Sequence, residues 1–430
     1  MTKPERRKFL KKLGGAAAAV SLMPLFDTVY AGEFSTALKK IEHLPPEQTA
    51  SDEDFWGFIQ QSYTVSANII NLNNGGVSPQ PKVVQDAFER FNRLCNEAPS
   101  YYMWRILDQG REPIRENLAR LAGCSTEEIA INRNTTEALE TIIFGLNLTR
   151  GDEVALSKFD YPNMVNSWKQ REKRDGIVLK YIDLDMPMEN DSDIVKRFEQ
   201  AFTDKTKIVH ITHMINWTGQ ILPAKAIAAA AHRRGAEVIL DGAHTFAHID
   251  FNLKDLDCDY FGTSLHKWLC APFGSGFIYV KKEKIKNMWT LFSNDDPGSG
   301  DIRKFESLGT RSFPAEQAIG NAIQFHSMIG IQRKEARLHY LKNYWAKQVK
   351  DLPKVKLYTS LKPEYGCALA TFGIEGKEPL DIVNFLFNNY KIHTTNIDKE
   401  GVRGVRVTPH VYTTLYDLDR LVKAIKELTV

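Results

Sequence analysis

Between residues 128 and 280, short β-branched runs alternate with helical patterns, and this alternation restricts the fold more than any other feature of the chain. The runs are EIAIN, EVALSKF, IVLKYIDL, KIVHITHM, EVILDGA, DYFGTS and GFIYV, separated for the most part by stretches such as TTEALETIIFGL, NMVNSWKQREKRDG and SDIVKRFEQAF. A strand followed by a helix re-enters its sheet in the same direction, so the pattern predicts an α/β fold with a mainly parallel, seven-stranded sheet flanked by helices. In AIAAAAHRRGAEVILDGAH, an alanine-rich helix starts after Pro223, stops at Gly235 and feeds a buried strand that ends on Asp241. Ligands of such sheets bind at the carboxyl ends of the strands.

The flanking regions divide the rest. Residues 32–75 form an N-terminal segment, expected to pack on a smaller domain, with a helix around EDFWGFIQQSY and a turn-rich NLNNGGVSPQP. Residues 76–312 are the large domain. From about 312 a long helical stretch, AEQAIGNAIQFHSMIGIQRKEARLHYLKNYWAKQV, opens a smaller α+β C-terminal domain, 313–430, that closes on the helix DLDRLVKAIKEL.

The first 31 residues are of another kind. ERRKFLKKLGGAAAAVSLMPLF pairs Arg6 with Arg7 ahead of an alanine-rich apolar run, and VYA at 29–31 offers a small-residue cleavage site. The run, interrupted by Pro24, is short for a comfortable bilayer span, with a membrane anchor or a buried helix as the other reading. It resembles a twin-arginine signal, which implies the twin-arginine export machinery as a partner, a periplasmic location and a cofactor taken up before export. With 56 basic against 53 acidic residues and no single-sign block, the chain lacks an electrostatic footprint for nucleic acid. Five cysteines stand without CxxC or metal-ligand spacing and read as buried apolar thiols, and no metal site is expected.

Two charges sit where packing does not explain them. Lys267 lies in the aromatic, glycine-rich run DYFGTSLHKWLCAPFGSGFIYV, 26 positions after Asp241, and each follows a predicted strand. Alone, either reads as structural. Together they suggest a site for pyridoxal 5′-phosphate, with an enclosed lysine to hold the cofactor aldehyde and a carboxylate to keep the pyridine nitrogen protonated. Such a site needs a phosphate cradle, a ring partner and a carboxylate clamp. Thr135 and Thr136 in NRNTTEAL open a helix where amides and hydroxyls can hold phosphate, and Ser264 and His266 stand beside the lysine. Tyr161 in KFDYPNMVNSW offers a flat ring. Arg406 in GVRVTPHVYTT suits bidentate capture of an amino-acid carboxylate.

The ordered motifs NLNNGGVSPQP, RNTTEAL, DYPNMVNSW, HMINWTGQILP, ILDGAHTFAHID, TSLHKWLCAPFGSGFIYV and GVRVTPHVYTT resemble class V aminotransferases of the fold-type I pyridoxal-phosphate superfamily, in particular the isopenicillin N epimerase-like branch. The resemblance covers nearly the whole chain after residue 31. It implies Lys267 as the residue bound to the cofactor and Asp241 at the ring nitrogen. Thr135, Thr136, Ser264 and His266 fall near the phosphate, Tyr161 on the ring, Asn216 and His244 near the 3′-oxygen, and Arg406 on the substrate carboxylate. It further implies a homodimer, with Thr310 in GTRS reaching the neighbouring chain's phosphate. Two positions depart from related desulfurases, which often carry histidine where Tyr161 stands and glutamine where His244 stands.

The expected activity is on the α-amino group of an amino acid, aminotransfer to a 2-oxo acid first, with epimerisation or carbon–sulfur lysis as alternatives and an inactive binding protein as the non-enzymatic one. Desulfuration needs a cysteine on a mobile loop shortly before the clamp arginine, and KIHTTNIDKEGVRGV at 391–405 has none. Tyr101, Tyr102 and Trp104 are expected near the substrate pocket.

Overall fold

The computed structural model describes residues 36 and 38–429; the predicted export segment, 1–31, lies outside the described residues. Two compact units divide the chain, Met1–Pro45 and Pro46–Val430. In the first, residues 38–41 are helical. Among the described residues no helix is long and apolar enough to cross a membrane.

The second unit begins with a short helix, continues through the helix Glu53–Gln61 and β1 (Ile70–Asn71), and then enters the predicted alternation. β2 (Ile129–Asn132), β3 (Glu153–Ser157), β4 (Val178–Ile182), β5 (Thr206–Thr212), β6 (Glu237–Asp241), β7 (Tyr260–Ser264) and β8 (Gly276–Val280) form one sheet in the order β2-β8-β7-β6-β5-β3-β4. β8 runs antiparallel to both its neighbours, while β3 to β7 pair in parallel. The expected seven-stranded, mainly parallel sheet is therefore present. Inner strands such as β3 and β7 are buried throughout, because helices cover both faces; β4, at the edge, alternates exposed Val178 and Tyr181 with buried Leu179 and Ile182.

The alanine-rich crossover forms as read: the helix Ala224–Arg233 ends before Gly235, which takes φ +74°, and the chain turns into β6. Its small buried face, Ala224, Ala228, Ala230 and Ala231, lets the helix lie close to the sheet, and Ile227 anchors it with roughly 1.5–3 kcal/mol of apolar burial. The long helical stretch after residue 312 is broken, however. It forms two helices, Phe313–Ile329 and Ile331–Val349, because Gly330 adopts φ +84°, which interrupts the helical path.

A second sheet follows. β9 (Val355–Leu357), β10 (Ala370–Ile374), β12 (Thr395–Lys399) and β13 (Val402–Val407) pair antiparallel in the order β12-β13-β10-β9, and β11 (Ile392–His393) pairs in parallel with β1. Trp345, Phe372, Leu386, Val405 and Leu421 fill its core against the helices Ile331–Val349, Pro379–Tyr390 and Leu415–Thr429. Pairing of β1 with β11 carries the NLNNGG stretch alongside the end of β13, where Thr408 donates to Leu72 O at 2.8 Å.

Hydrogen bonds tie the two sheets together. Thr371 Oγ1 donates to Trp217 O, Thr359 Oγ1 to Thr218 O, and Ile221 N to Tyr365 O at 3.0 Å. The turn between them depends on Gly219, at φ +76°, where a Cβ would lie 2.1 Å from Leu369 O.

Candidate active site

β5, β6 and β7 end side by side, and a crevice of about 340 Å³ opens at their carboxyl ends. It is lined by Thr135, Thr136, Tyr161, Asn216, Asp241, His244, Ser264, His266, Lys267 and Arg406, so residues scattered over 271 positions of the chain (135 to 406) meet in one place.

Asp241, the last residue of β6, is 3 % exposed, and Oδ1 accepts from Ala243 N at 2.9 Å. Burial pushes its carboxyl up to about 6, against that hydrogen bond and the nearby Lys267. A buried carboxylate in this condition gains from a cation brought to it. Lys267 sits in the connection from β7 to β8, three residues past Ser264. Its amine falls to about 8, chiefly through burial, with Asp241 opposing and Arg406 adding to the fall. Nζ lies 3.3 Å from His244 Nε2.

The helix Thr135–Gly145 points its N-terminus into the crevice. Asn134 caps it by accepting from Glu137 N at 2.9 Å, and Thr135 reaches Ser264 twice, through its amide at 2.9 Å and its hydroxyl at 2.7 Å. The approach depends on Gly276 of β8, where a Cβ would lie 2.6 Å from Asn132 Oδ1 and 2.8 Å from Asn134 Cα. His266 contacts Ser275 O through Nδ1 at 3.2 Å, and burial lowers its imidazole to about 4, so it is a neutral partner. Such a helix start with clustered hydroxyls is a built anion cradle.

Arg406 approaches from the other sheet, on β13. Nη1 donates to Asn216 O and Nη2 to Asn73 Oδ1, both at 2.9 Å. The residue is 7 % exposed, Nε has no partner, and among the described residues no carboxylate pairs with it. Burial lowers the guanidinium to about 10, while the facing Tyr161 works the other way. Asn216 Oδ1 and His244 Nδ1 are likewise buried without partners. Unmet polar atoms on one wall of a crevice mark where an occupant would bind.

Thr310 is the predicted residue that the crevice does not include: it is exposed, on the segment before the helix Phe313–Ile329. Tyr101, Tyr102 and Trp104 do not line it either. They belong to a helical turn that continues as the π-helix Tyr102–Leu107, with Tyr101 52 % and Trp104 56 % exposed.

Sequence reasoning missed four contributors. Gly75 and Gly76 line the crevice, and a Cβ on Gly75 would stand 3.0 Å from Thr408 Cγ2 and 3.5 Å from both Arg406 Cζ and His244 Cε1. Asn73 orients Arg406. The fourth, Asp160, is a second buried carboxylate: it accepts from Ser157 N at 2.8 Å and from Thr212 Oγ1 at 2.6 Å, and Thr212 is the register partner of Asp241. Burial raises Asp160 to about 7. The paired glycines of NLNNGG were the available signal for the first two.

This fold and this crevice define an α/β enzyme that uses a bound cofactor. The chain belongs to the family described as aminotransferase class-V, whose model matches residues 70–421. Membership makes pyridoxal 5′-phosphate the cofactor of the crevice, and the residues fit it: an anion cradle, a buried carboxylate lacking a cation, and a lysine of lowered pKa in between. Isopenicillin N epimerase of Streptomyces clavuligerus is 26% identical over 394 residues, covering 87% of this chain and 98% of the relative. A probable cysteine desulfurase of Halalkalibacterium halodurans is 31% identical over 336 residues, covering 74% and 80%. Among solved structures, the cysteine desulfurase CsdA of Escherichia coli superposes with a TM-score of 0.77 at 20% identity, covering 87% of this chain and 99% of that one. C-DES with glycine covalently linked to its PLP cofactor also gives 0.77 at 20%, covering 86% and 99%. At that identity the likeness shows the fold.

Proposed function

We propose that the protein is a pyridoxal 5′-phosphate-dependent aminotransferase that moves the α-amino group of an amino acid to a 2-oxo acid. The observation that carries this reading is Arg406, a buried guanidinium with no carboxylate of its own, facing the crevice that holds Lys267. An α-amino acid supplies both an amine for the lysine end and a carboxylate for the arginine end.

Lys267 would hold the cofactor, and its amine would take the α-proton of a bound amino acid. Asp241 would face the ring nitrogen. Thr135, Thr136, Ser264 and His266 would hold the phosphate, Tyr161 would cover the ring, Asn216 and His244 would lie at the 3′-oxygen, and Arg406 would bind the carboxylate. When bound, pyridoxal phosphate provides the sink for the electron pair left on the α-carbon. Aminotransfer needs a single base that moves a proton along one side of the substrate, and Lys267 is the one amine lining the crevice among the described residues.

Desulfuration is disfavoured although desulfurases are among the relatives. Among the described residues no cysteine lines the crevice, and the segment before Arg406 is a tight hairpin, β12 turning into β13 at Glu400 and Gly401, both at positive φ, rather than a long loop. Epimerisation is the second reading, favoured by the near full-length similarity to isopenicillin N epimerases, with Tyr161 or His244 as its second acid. We further propose export by the twin-arginine route to the periplasm, and a homodimer in which Thr310 of each chain serves the other's phosphate site; its exposure outside its own crevice supports that assignment.

The test is a panel of amino acids in deuterated water with the cofactor-loaded enzyme. Amine transfer dependent on a 2-oxo acid supports the proposal. α-Deuterium with inversion replaces it with epimerisation, sulfide or ammonia release with lysis, and the absence of any turnover with a binding protein.

A further inference from the structure

We propose that Trp268 is a positioning residue for Lys267: its indole, stacked on His248 and His410, fixes the lysine against the two segments that carry Asp241 and Arg406. The inference rests on the reading of Lys267 as the residue that takes up the cofactor, and deepens it.

The three rings come from separate parts of the chain, and each follows a crevice residue closely. His248 stands four residues after His244, Trp268 directly after Lys267, and His410 four residues after Arg406. The Trp268 and His248 rings lie with centroids 3.6 Å apart and planes at 21°, the Trp268 and His410 rings at 5.5 Å and 14°. All three residues are fully buried. The connection that carries Lys267 therefore leans at once on the turn after β6 and on the segment after β13.

The two histidines are held from elsewhere. His248 Nδ1 donates to His244 O at 2.7 Å and Nε2 accepts from Ala368 N at 3.1 Å, which fixes one neutral tautomer. His410 N donates to Thr413 Oγ1 at 2.9 Å, and its Nε2 lies 3.4 Å from Cys270 Sγ. Trp268 Nε1, by contrast, has no partner among the described residues, so ring faces and not a side-chain hydrogen bond place the indole. Its main chain is fastened by Lys334, whose Nζ donates to Trp268 O.

The connection needs such a hold. Cys270, three residues past Lys267, takes φ +58°, a left-handed conformation that residues other than glycine seldom adopt. Local preference opposes this shape, and it persists because the surrounding packing dictates it. The charged and titratable groups facing Lys267 are Asp241, His244, His266 and Arg406. Replacing the indole alters none of them, so a change in the lysine's titration would report its burial.

The experiment compares the wild type with Trp268→Met, which keeps an apolar side chain but no ring, and Trp268→Phe, which keeps a ring face and drops only an N–H that bonds nothing. Purified apoprotein is mixed with pyridoxal 5′-phosphate across a pH series, and covalent capture is followed by borohydride reduction and mass. A lysine no longer pressed into the crevice regains solvent, so Trp268→Met is expected to raise the apparent pKa of capture by about one unit, and Trp268→Phe to leave it within roughly 0.3 unit. With loaded enzyme, kcat for α-deuterium exchange is expected to fall at least about tenfold in Trp268→Met while KM stays within about threefold, because Arg406 keeps its own bonds to Asn216 and Asn73. A purely structural role would lower the melting temperature of both variants and leave the capture profile unmoved. An unshifted profile in folded Trp268→Met, or an equal shift in both variants, overturns the proposal. Should Trp268→Met fail to fold, His410→Leu keeps the indole and removes its partner beyond Arg406; the same upward shift supports the proposal and an unshifted profile overturns it. A wild type that captures cofactor yet exchanges no α-hydrogen from any amino acid overturns the aminotransferase reading, while the capture comparison still decides the role of Trp268.

Discussion

Among the described residues neither Arg406 nor Lys267 is held in an ion pair, and that is what makes them testable. Replacing Arg406 with alanine removes charge-assisted hydrogen bonds worth about 1.5–3 kcal/mol, so KM for an amino acid should rise roughly ten- to hundredfold, as steady-state kinetics would measure. Lys267→Ala should abolish covalent cofactor capture, read as loss of the borohydride-fixed adduct. In the wild type the capture rate should climb with pH and level off above about 8, because only the neutral amine is nucleophilic and burial has brought its pKa down from 10.5. A climb that continued past pH 10 would mean an ordinary exposed lysine. The charged residues that meet in the crevice were legible because lysine, aspartate and arginine in apolar strand contexts ask for an explanation. Asn73 and Asp160 were not: Asn73 meets Arg406 across 333 positions, and Asp160 bonds Ser157 in its own turn and Thr212 on the neighbouring strand, 52 positions on.

At the scale of elements, the connection from β7 to β8 does most to build the site. Because β8 returns antiparallel beside β7, Lys267 lies in a short hairpin connection, where a crossover helix would have carried it away from the strand ends. The same strand supplies Gly276, which admits the helix Thr135–Gly145 at close range. Gly276→Ala should drive Asn134 outward, raise the Kd for pyridoxal phosphate and cost about 1–3 kcal/mol of stability, measurable by fluorescence titration and denaturant unfolding. A variant with wild-type affinity and stability would show that the helix start is free to move. Strand and helix identities were readable from β-branched runs and alanine-rich periodicity. Strand order was not, since β8 inserts between β2 and β7, and neither was the break at Gly330, whose positive φ answers to tertiary packing while the flanking pattern stays helical.

For the molecule as a whole, the two sheets were readable as two bodies but their fastening was not, because it runs through threonine hydroxyls and main-chain oxygens that leave no mark in a hydropathy pattern. Thr371, Thr359, Gly219 and Ala368 lock the small sheet onto the large one, and Arg406 itself is held by Asn216 O on the large-sheet side. Residues 46–429 should therefore melt in one calorimetric transition; two resolved peaks would separate the bodies. The clamp and the amine then form a gauge of fixed length. A substrate is measured by the number of carbons between its nitrogen and its carboxylate, and β-alanine or a longer ω-amino acid, one or more bonds too long for that interval, should react at least about tenfold more slowly than an α-amino acid in kcat/KM.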